Sequence, residues 1–359
     1  MRNQFVLITG GAGFIGTNLA LSYLAENRPV HIFDNLSRSG VERNVQELLD
    51  LYPGRVLFTQ ADVRDRPAVK AAIASARIVY HLAAQVAVTT SLEDPMGDVD
   101  TNLFGTLNVL EAIRACSQRP SLLFTSTNKV YGRLSGVPLR EGARCYEPVD
   151  QHAAQAGAGE EQPLEFLSPY GCSKGAADQY VLDYARSYGL AATVFRMSCI
   201  YGPHQLGSED QGWVAHFVRQ TMKEEPVTIY GDGKQVRDLL FVKDLVQAMR
   251  RAQENVAAAA GQAFNVGGGA PNSISLLELV DELKQLTGAS PKIAWGAERP
   301  ADQKWFVSNC SKIGDLLSWK PATPVRRGLT LLHEWYLKRP ELIRQSQRDM
   351  AAMQVAGCA

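Results

Sequence analysis

The 359-residue sequence has few cysteines, no long apolar run and no net charge. Its six cysteines are scattered without a CxxC pair, which argues against a zinc finger or a disulfide scaffold. No stretch approaches the roughly 20 apolar residues that span a bilayer, and no signal-peptide pattern is present. Thirty-seven basic residues balance thirty-seven acidic ones, so no overall field attracts nucleic acid or anionic lipid. We expect a reduced, cytoplasmic protein with no structural metal, no membrane partner and no nucleic-acid partner.

The first half of the sequence alternates short apolar runs with amphipathic segments, the pattern of βαβ units. Six of these runs predict an α/β fold with a Rossmann-type, doubly wound parallel sheet. The predicted strands are residues 5–9, 30–33, 56–60, 78–82, 122–126 and 192–195. Because such sheets bind ligands at the carboxyl ends of their strands, the residues just after these strands are the first functional candidates.

The remaining sequence is less regular. Residues 133–169 are rich in Gly, Pro, Ala, Glu and Gln and predict a long loop or lid. Beyond Tyr201, mixed helical and strand-like pieces, among them residues 227–230 and 263–266, predict a smaller α/β substrate domain that closes over the sheet edge. The predicted division is a Rossmann domain at 1–195 joined by part of 233–266, a mainly substrate-binding domain at 196–345 and a C-terminal tail at 346–359.

A glycine-rich segment at residues 9–16 follows the first strand and opens a helix. Glycines at 10, 13 and 16 let backbone amides approach a pyrophosphate, because a Cβ there would obstruct the turn or the packing. Asp34 ends the next strand, where a carboxylate accepts hydrogen bonds from an adenosine ribose and repels a 2′-phosphate. NAD is therefore favoured, and Arg38 nearby keeps NADP open as the alternative.

Two further strand ends carry candidates for the same cofactor. Asp62 follows the third strand and is placed to accept from an adenine amino group, with a helix cap as the alternative. Small residues after His81 let a flat cofactor lie against the backbone, while His81 itself is expected to be a satisfied core histidine.

Tyr170 and Lys174 are four residues apart and project from one face of a predicted helix. A neighbouring ammonium and a positive nicotinamide both favour the phenolate of a tyrosine. The hydroxyl of Thr127, after the fifth strand, is placed to orient the reacting oxygen. Together these groups form an acid/base that moves a proton while NAD moves a hydride. The alternative reading is a surface Tyr/Lys pair.

The sequence resembles the extended short-chain dehydrogenases/reductases of the nucleotide-sugar epimerase and dehydratase group from about Phe5 to about Tyr336. The motifs that carry the resemblance are residues 9–16, 34–35, 62, 81–84, 102–106, 170–174, 196, 201–203 and 237–238. The resemblance implies a catalytic trio of Thr127, Tyr170 and Lys174, with Lys174 also on the nicotinamide ribose. It also implies that Arg237 and Arg299 clamp a substrate pyrophosphate, for which guanidinium groups are suited.

The resemblance completes the set of predicted site residues, and no metal site is predicted among them. The cofactor residues are Gly10, Gly13, Phe14, Ile15, Gly16, Asp34, Asn35, Ser37, Arg38, Asp62, Val63, Leu82, Ala83, Ala84, Asn102, Thr125, Tyr170 and Lys174. The substrate residues are Gln85, Thr127, Asn128, Lys129, Arg237 and Arg299.

The reaction class depends on the two residues after Thr127. A sugar carbon without an adjacent carbonyl is not acidic, so its inversion requires oxidation, rotation of the ketone and re-reduction. The 4,6-dehydratases of the family that this sequence resembles have Asp-Glu directly after the threonine. These two residues serve as an acid that protonates the leaving hydroxide and a base that removes the neighbouring proton. This sequence has Asn128 and Lys129 there, and asparagine is not an acid. The sequence therefore disfavours dehydration.

Four segments, at residues 126–132, 168–180, 210–214 and 233–238, are similar to the subfamily of CDP-tyvelose (CDP-paratose) 2-epimerases. This similarity implies C2 epimerisation of CDP-paratose to CDP-tyvelose or of a close CDP-sugar analogue, in carbohydrate biosynthesis, by a homo-oligomer that is a tetramer or a dimer. A 4-epimerase of a UDP- or other NDP-hexose is the alternative. A catalytically silent NAD-binding or scaffold protein is the third possibility.

Overall fold

The computed structural model describes residues 5–299 and 302–344. Its strands are β1 Phe5–Thr9, β2 Val30–Asp34, β3 Val56–Gln60, β4 Ala76–His81, β5 Ser121–Thr127, β6 Leu139–Glu141, β7 Tyr146–Pro148, β8 Ala192–Met197, β9 Cys199–Tyr201, β10 Val227–Tyr230, β11 Val236–Phe241, β12 Ala263–Val266, β13 Ser273–Ser275, β14 Ile293–Gly296 and β15 Trp305–Phe306.

Its helices are α1 Phe14–Leu24, α2 Glu42–Leu51, α3 Arg66–Ile73, α4 Val88–Glu93, α5 Pro95–Val99, α6 Gly105–Arg114, α7 Gln151–Ala156, α8 Ser168–Tyr188, α9 Trp213–Met222, α10 Val242–Glu254, α11 Val256–Ala259, α12 Leu276–Thr287, α13 Ser311–Leu317, α14 Val325–Leu337 and α15 Pro340–Arg344. A π-helical turn at Asp100–Phe104 joins α5 to α6. Of the helices in this part of the chain, none is both long and apolar enough to cross a membrane.

The main sheet has seven strands in the order β12-β8-β5-β4-β1-β2-β3. Every pairing in it is parallel. The strand order reverses at β1, which lies between β4 and β2, so a crevice forms beyond the carboxyl ends of β1 and β4. The predicted Rossmann-type sheet and all six of its predicted strands are confirmed.

Both faces of this sheet are covered by helices, which is why its strands are almost continuously apolar. Ile8 in β1 packs into one core together with Leu19 of α1 and Met249 of α10. Its neighbour Leu7 points to the opposite face and packs into a second core with Val181 of α8. The long helix α8 is thereby fixed against the sheet, and this helix carries two of the predicted catalytic residues.

A smaller mixed region forms around β11, which pairs with β9, β13 and β15. Its core joins Tyr201, Phe217 of α9, Leu279 of α12 and Tyr336 of α14. The smaller α/β region expected beyond Tyr201 is therefore present. Its division from the first domain stays a prediction, and the predicted tail at 346–359 lies outside the described residues.

Two predictions about this second half need comment. The piece at 263–266, which was grouped with the smaller region, is a strand that pairs with β8 as the seventh strand of the main sheet. This pairing is consistent with the predicted division, in which part of 233–266 joins the Rossmann domain. Residues 133–169 are not one long loop, because they contain the antiparallel hairpin β6–β7 and helix α7. This segment is held to the protein by Ala158, whose backbone bonds Val307 and Asn309.

Candidate active site

The glycine loop between β1 and α1 is shaped to receive a pyrophosphate. Gly10 has φ +68°, and a Cβ on it would lie 2.7 Å from the backbone nitrogen of Ala83 at the end of β4. A Cβ on Gly16 would lie 2.6 Å from the carbonyl oxygen of Gly10. No side chain caps α1 at Gly13, so the N–H groups of its first turn, including Phe14 and Ile15, are available to an anion. The loop fits a dinucleotide.

Asp34 lies beside this loop at the end of β2. Its carboxylate accepts hydrogen bonds from the backbone N–H of Ala12 at 3.0 Å and of Leu36 at 2.9 Å. Burial raises the pKa of Asp34, and these two bonds together with the charge of Arg38 oppose the rise. Ser37 and Arg38 follow on an exposed loop. The carboxylate is thus held at the place where the second ribose of a dinucleotide is expected.

The third strand end brings Asn35 and Asp62 together. The Asn35 amide donates to Asp62 at 2.8 Å, and Arg64 forms an ion pair with the same carboxylate at 2.9 Å. Mainly through its hydrogen bond with Arg64, the pKa of Asp62 falls to about 2. Asp62 therefore presents an ionised acceptor next to Val63, which is buried in the core.

Leu82, Ala83 and Ala84 directly follow β4. Because their side chains have no polar atoms, only their backbone groups could form hydrogen bonds with a cofactor. His81 is fully enclosed, and its ring nitrogens lie 2.7 Å from the Thr9 hydroxyl and 3.0 Å from the Thr106 hydroxyl. Burial, with a smaller contribution from Lys174, lowers the pKa of His81 to about 3. His81 is therefore a neutral core histidine, in line with the sequence-based interpretation.

Tyr170, Lys174 and Thr127 lie together at the carboxyl end of β5. Tyr170 and Lys174 occupy one face of α8 and are both buried. The Lys174 ammonium donates to the Thr125 carbonyl at 2.6 Å and lies 4.2 Å from the centre of the Phe124 ring. The Thr127 hydroxyl is in hydrogen-bonding reach of the Tyr170 phenol. The geometry thus joins the three residues into one cluster, and their catalytic role stays a prediction.

Burial dominates the electrostatics of this cluster. Burial raises the pKa of Tyr170 to about 12, although the hydrogen bond with Thr127 lowers it. Burial likewise lowers the pKa of Lys174 to about 7, with Asp178 and Asp98 opposing the shift. Burial therefore favours the protonated form of Tyr170, and the contribution expected of Lys174 stays a prediction.

Asn102 and Gln85 belong to a buried network beneath this cluster. The Asn102 amide donates to the Gln85 carbonyl at 3.0 Å and to the Ser173 hydroxyl at 3.1 Å. The Gln85 amide donates to the Asp98 carboxylate at 2.8 Å. Sequence reasoning missed Asp98, although its spacing of four residues from Asn102 places both on one helix face. The network supports the Tyr170 helix from behind.

A buried ion pair lies one turn beyond Lys174, and sequence reasoning missed this pairing too. Arg196 on β8 binds both carboxylate oxygens of Asp178 at 2.9 Å, and neither side chain is more than 5% exposed. Burial alone would lower the pKa of Arg196, but its bonds with Asp178 raise it overall. Arg196 also donates to Tyr131 at 3.0 Å. The pair fixes α8 to the sheet.

The predicted substrate residues Lys129 and Arg237 meet at Asp302. The Asp302 carboxylate accepts from Arg237 at 2.7 Å and from Lys129 at 3.1 Å. Although burial would raise the pKa of Asp302, the two cations lower it to about 2. Next to it, Gln303 accepts from the Asn128 amide at 3.2 Å. Two cations and one carboxylate leave a local excess of one positive charge, suited to an anionic ligand.

Arg299 lies on the same segment, and its carbonyl accepts from the Asp302 N–H at 3.3 Å. Its guanidinium stacks 3.9 Å over the Tyr230 ring and pairs with Asp210 at 3.1 Å. Asp302 therefore contacts both arginines: its N–H bonds the carbonyl of Arg299, and its carboxylate binds Arg237. The joint pyrophosphate clamp stays a prediction, because each arginine has a protein partner here.

Comparison with known proteins finds relatives over most of the chain. The model of the family described as GDP-mannose 4,6 dehydratase matches residues 7–332. CDP-paratose 2-epimerase of Salmonella typhi is 41% identical over 337 residues, which cover 92% of this chain and 98% of that protein. UDP-glucuronate 4-epimerase of Thermodesulfobacterium geofontis is 30% identical over 344 residues, with 95% and 98% covered.

Among solved structures, the complex of UDP-glucose 4-epimerase from Thermus thermophilus with NAD is similar to this chain with a TM-score of 0.77. The two sequences are 32% identical, and the match covers 93% of this chain and 99% of that one. These likenesses extend over both the Rossmann sheet and the smaller region.

Proposed function

We propose, because this chain belongs to the GDP-mannose 4,6 dehydratase family, that it is an NAD-dependent epimerase of a nucleotide-linked sugar. The favoured reaction is C2 epimerisation of CDP-paratose to CDP-tyvelose or of a close CDP-sugar analogue. The observation that carries the proposal is the cluster of Thr127, Tyr170 and Lys174 at the same edge of the sheet as the glycine loop, with Asn128 and Lys129 following Thr127 in the chain. The 41% identity with a CDP-paratose 2-epimerase supports the choice of C2 and of a CDP sugar.

The residues present fit NAD. The glycine loop leaves no room for side chains where backbone must approach a pyrophosphate, and Asp34 offers a carboxylate to a ribose. When bound, NAD supplies the acceptor and the returning donor of the hydride, and its positive nicotinamide favours ionisation of a nearby phenol.

Side chains of the protein transfer the proton and orient the sugar. Thr127 and Tyr170 hold the hydroxyl of the reacting carbon, and Tyr170 takes its proton during oxidation and returns it during reduction. The Lys174 ammonium stabilises the phenolate that forms in between. Asn128 has no acidic proton, and the Lys129 ammonium is paired with Asp302, so neither residue is arranged for dehydration.

The test is to incubate the purified protein, without added cofactor, with CDP-, UDP- and dTDP-linked hexoses and to follow each sugar ring by NMR. Inversion at C2 of a CDP sugar is the expected result. Inversion at C4 of a UDP sugar would contradict the proposed carbon and base and favour the 4-epimerase alternative. No change in any sugar would remove the support for an epimerase of these substrates.

Replacing Asp34 with alanine is expected to reduce the preference for NAD over NADP. The substitution removes the acceptor for the ribose hydroxyl and the charge that repels a 2′-phosphate. Affinities for both dinucleotides, measured by calorimetry on cofactor-stripped protein, give the ratio directly. Asp50→Ala, on the exposed end of α2, is the matched loss of a carboxylate and should leave that ratio unchanged. An unchanged ratio in Asp34→Ala would refute the ribose role.

A homo-oligomer, dimer or tetramer, is the expected assembly, and a cytoplasmic location stays a prediction. Large apolar side chains are exposed on neighbouring elements, with Leu92 on α4, Met96 on α5, Phe104 on the π-turn and Tyr180 on α8. Such a patch is typical of a protein interface. Light scattering should give a mass that is a multiple of 39.3 kDa, and a single-chain mass would contradict the assembly.

A further inference from the structure

Asp98 is a buried carboxylate directly beneath the catalytic cluster. It lies on α5, is 1% exposed, and accepts hydrogen bonds from Gln85 at 2.8 Å, from Asn102 at 3.1 Å and from the Ser173 hydroxyl. Ser173 stands on α8 between Tyr170 and Lys174. All three donors are neutral, so their bonds hold the carboxylate in place without cancelling its charge. Burial raises the pKa of Asp98, while the bonds with Ser173 and Gln85 and the charge of Lys174 oppose the rise.

The charge of Asp98 acts on Lys174. Two carboxylates favour its ammonium, Asp178 and Asp98. Asp178 is bound on both oxygens by Arg196, so that pair presents little net charge to its surroundings. In the described part of the chain, no cation forms a hydrogen bond or ion pair with Asp98 within 4 Å. The unneutralised negative charge that faces Lys174 is therefore that of Asp98.

The other groups that face this pair do not compensate it. His81 on β4 is neutral, held between two threonine hydroxyls. Asp94, at the N-terminus of α5, is exposed and adds negative charge near Asp98. Tyr170 on α8 is a protonated phenol. The ammonium of Lys174 and the carboxylate of Asp98 thus form the charge balance of the buried site.

We propose that Asp98 is a positioning residue: its bond with Ser173 holds a negative charge at the catalytic turn of α8, where that charge stabilises the Lys174 ammonium. This inference rests on the proposed function, because the charge of Lys174 matters only if Tyr170 acts as the acid/base. Asp98 contacts the catalytic helix through the Ser173 hydroxyl, and its proposed role includes no exchange of a proton with the sugar.

The direction of the effect follows from the two pKa values. Burial lowers the pKa of Lys174 and Asp98 opposes that shift. Burial raises the pKa of Tyr170 and Asp98 adds to that rise. Removing the charge of Asp98 therefore lowers both pKa values. Turnover requires the Tyr170 phenolate beside the Lys174 ammonium, and the pKa of Tyr170 lies above that of Lys174. In the pH profile of turnover, the rising limb therefore follows the pKa of Lys174, and the falling limb follows the pKa of Tyr170. Both limbs move to lower pH.

The experiment is the pH profile of turnover for the wild type and for Asp98→Asn. We expect both limbs to move to lower pH by about one unit. Asp94→Asn is the matched control, because it removes a carboxylate four residues away, and asparagine still caps α5. Its profile should equal that of the wild type. Reduced turnover in Asp98→Asn with both limbs in place would overturn the proposal and leave Asp98 a purely structural role.

A second measurement does not depend on turnover. Titration of Lys174 by NMR in ¹³C-lysine-labelled protein, with the signal identified by its loss in Lys174→Arg, should show a lower pKa in Asp98→Asn than in the wild type. Asp98→Ser provides the same loss of charge if the asparagine variant does not fold. An equal pKa in both proteins would overturn the proposal. If no sugar is turned over, the proposed function fails while this titration still decides the role of Asp98.

Discussion

Replacement of Tyr170 by phenylalanine should lower turnover by roughly 10²–10⁴-fold, the usual contribution of a general acid/base. Phenylalanine keeps the ring that packs against the buried site but removes the hydroxyl that bonds Thr127. Without it, no phenol takes the proton of the sugar hydroxyl during oxidation. Binding of NAD should be retained, because the glycine loop and Asp34 are untouched. Single-turnover kinetics together with the absorbance of bound cofactor measure both quantities.

Tyr184→Phe is the matched control for this prediction. Tyr184 lies on the same helix, is almost as buried, and donates its hydroxyl to Glu111 at 2.7 Å, away from the site. Loss of this hydroxyl should leave turnover within about twofold of the wild type, since it removes one peripheral hydrogen bond. Near-normal turnover in Tyr170→Phe would remove Tyr170 as the acid/base and with it the proposed mechanism.

Replacement of Arg196 by methionine should lower the free energy of unfolding by about 3–5 kcal/mol. The substitution keeps the apolar stem but removes both bonds to Asp178, which is fully buried. Among the residues that the structure describes, the carboxylate then retains only the Gln179 amide as a hydrogen-bond partner. A buried charge without its counter-ion is strongly destabilising, whereas a neutral pair of similar volume is not. Denaturant unfolding measures the change.

Two further variants isolate the cause of this loss. Arg186→Met removes an exposed ion pair with Asp183 on the same helix and should leave stability unchanged within error. The double variant Asp178→Asn with Arg196→Met should recover most of the stability lost in Arg196→Met, because no charge is then buried. A loss below about 1 kcal/mol in Arg196→Met, or no recovery in the double variant, would contradict the view that the pair fixes α8.

The Rossmann sheet was predictable from the sequence because its central strands are buried on both faces. Such strands are continuous apolar runs, and the predicted ends at 5–9 agree with β1. The predicted ends at 56–60 agree with β3 as well, although this edge strand is only partly buried. The strand β12 was predicted with its correct ends, but its pairing with β8 was not. Its partner β8 is some 65 residues earlier in the chain, and an apolar run carries no information about its pairing partner.

The hairpin β6–β7 was missed for a different physical reason. Each of its strands has three residues, and the exposed ion pair of Arg140 with Glu147 replaces the alternating apolar pattern that identifies a half-buried strand. A polar segment of only three residues is predicted as a loop because it is too short to show an alternating pattern. Its order comes from tertiary contacts, such as the bond of the Tyr146 N–H to the Lys234 carbonyl.

Part of the candidate site was predictable as well. The residues after β1, β2, β4 and β5 were identified because parallel strands present their carboxyl ends at one edge, and the spacing of Tyr170 and Lys174 placed both on one helix face. The partners that set their charges were not found. Asp302 is 173 residues from Lys129 in sequence, and the neutralisation of Asp178 by Arg196 appears only when β8 packs beside α8.

The most direct test of the central claim follows the hydrogen on C2. CDP-paratose deuterated at C2 is converted in ordinary water without added cofactor, and unlabelled substrate is converted in deuterated water. Oxidation and re-reduction at C2 predict that the product with inverted C2 keeps its deuterium in the first experiment and gains none in the second. Exchange of the C2 hydrogen with solvent, or inversion at another carbon, would contradict the account.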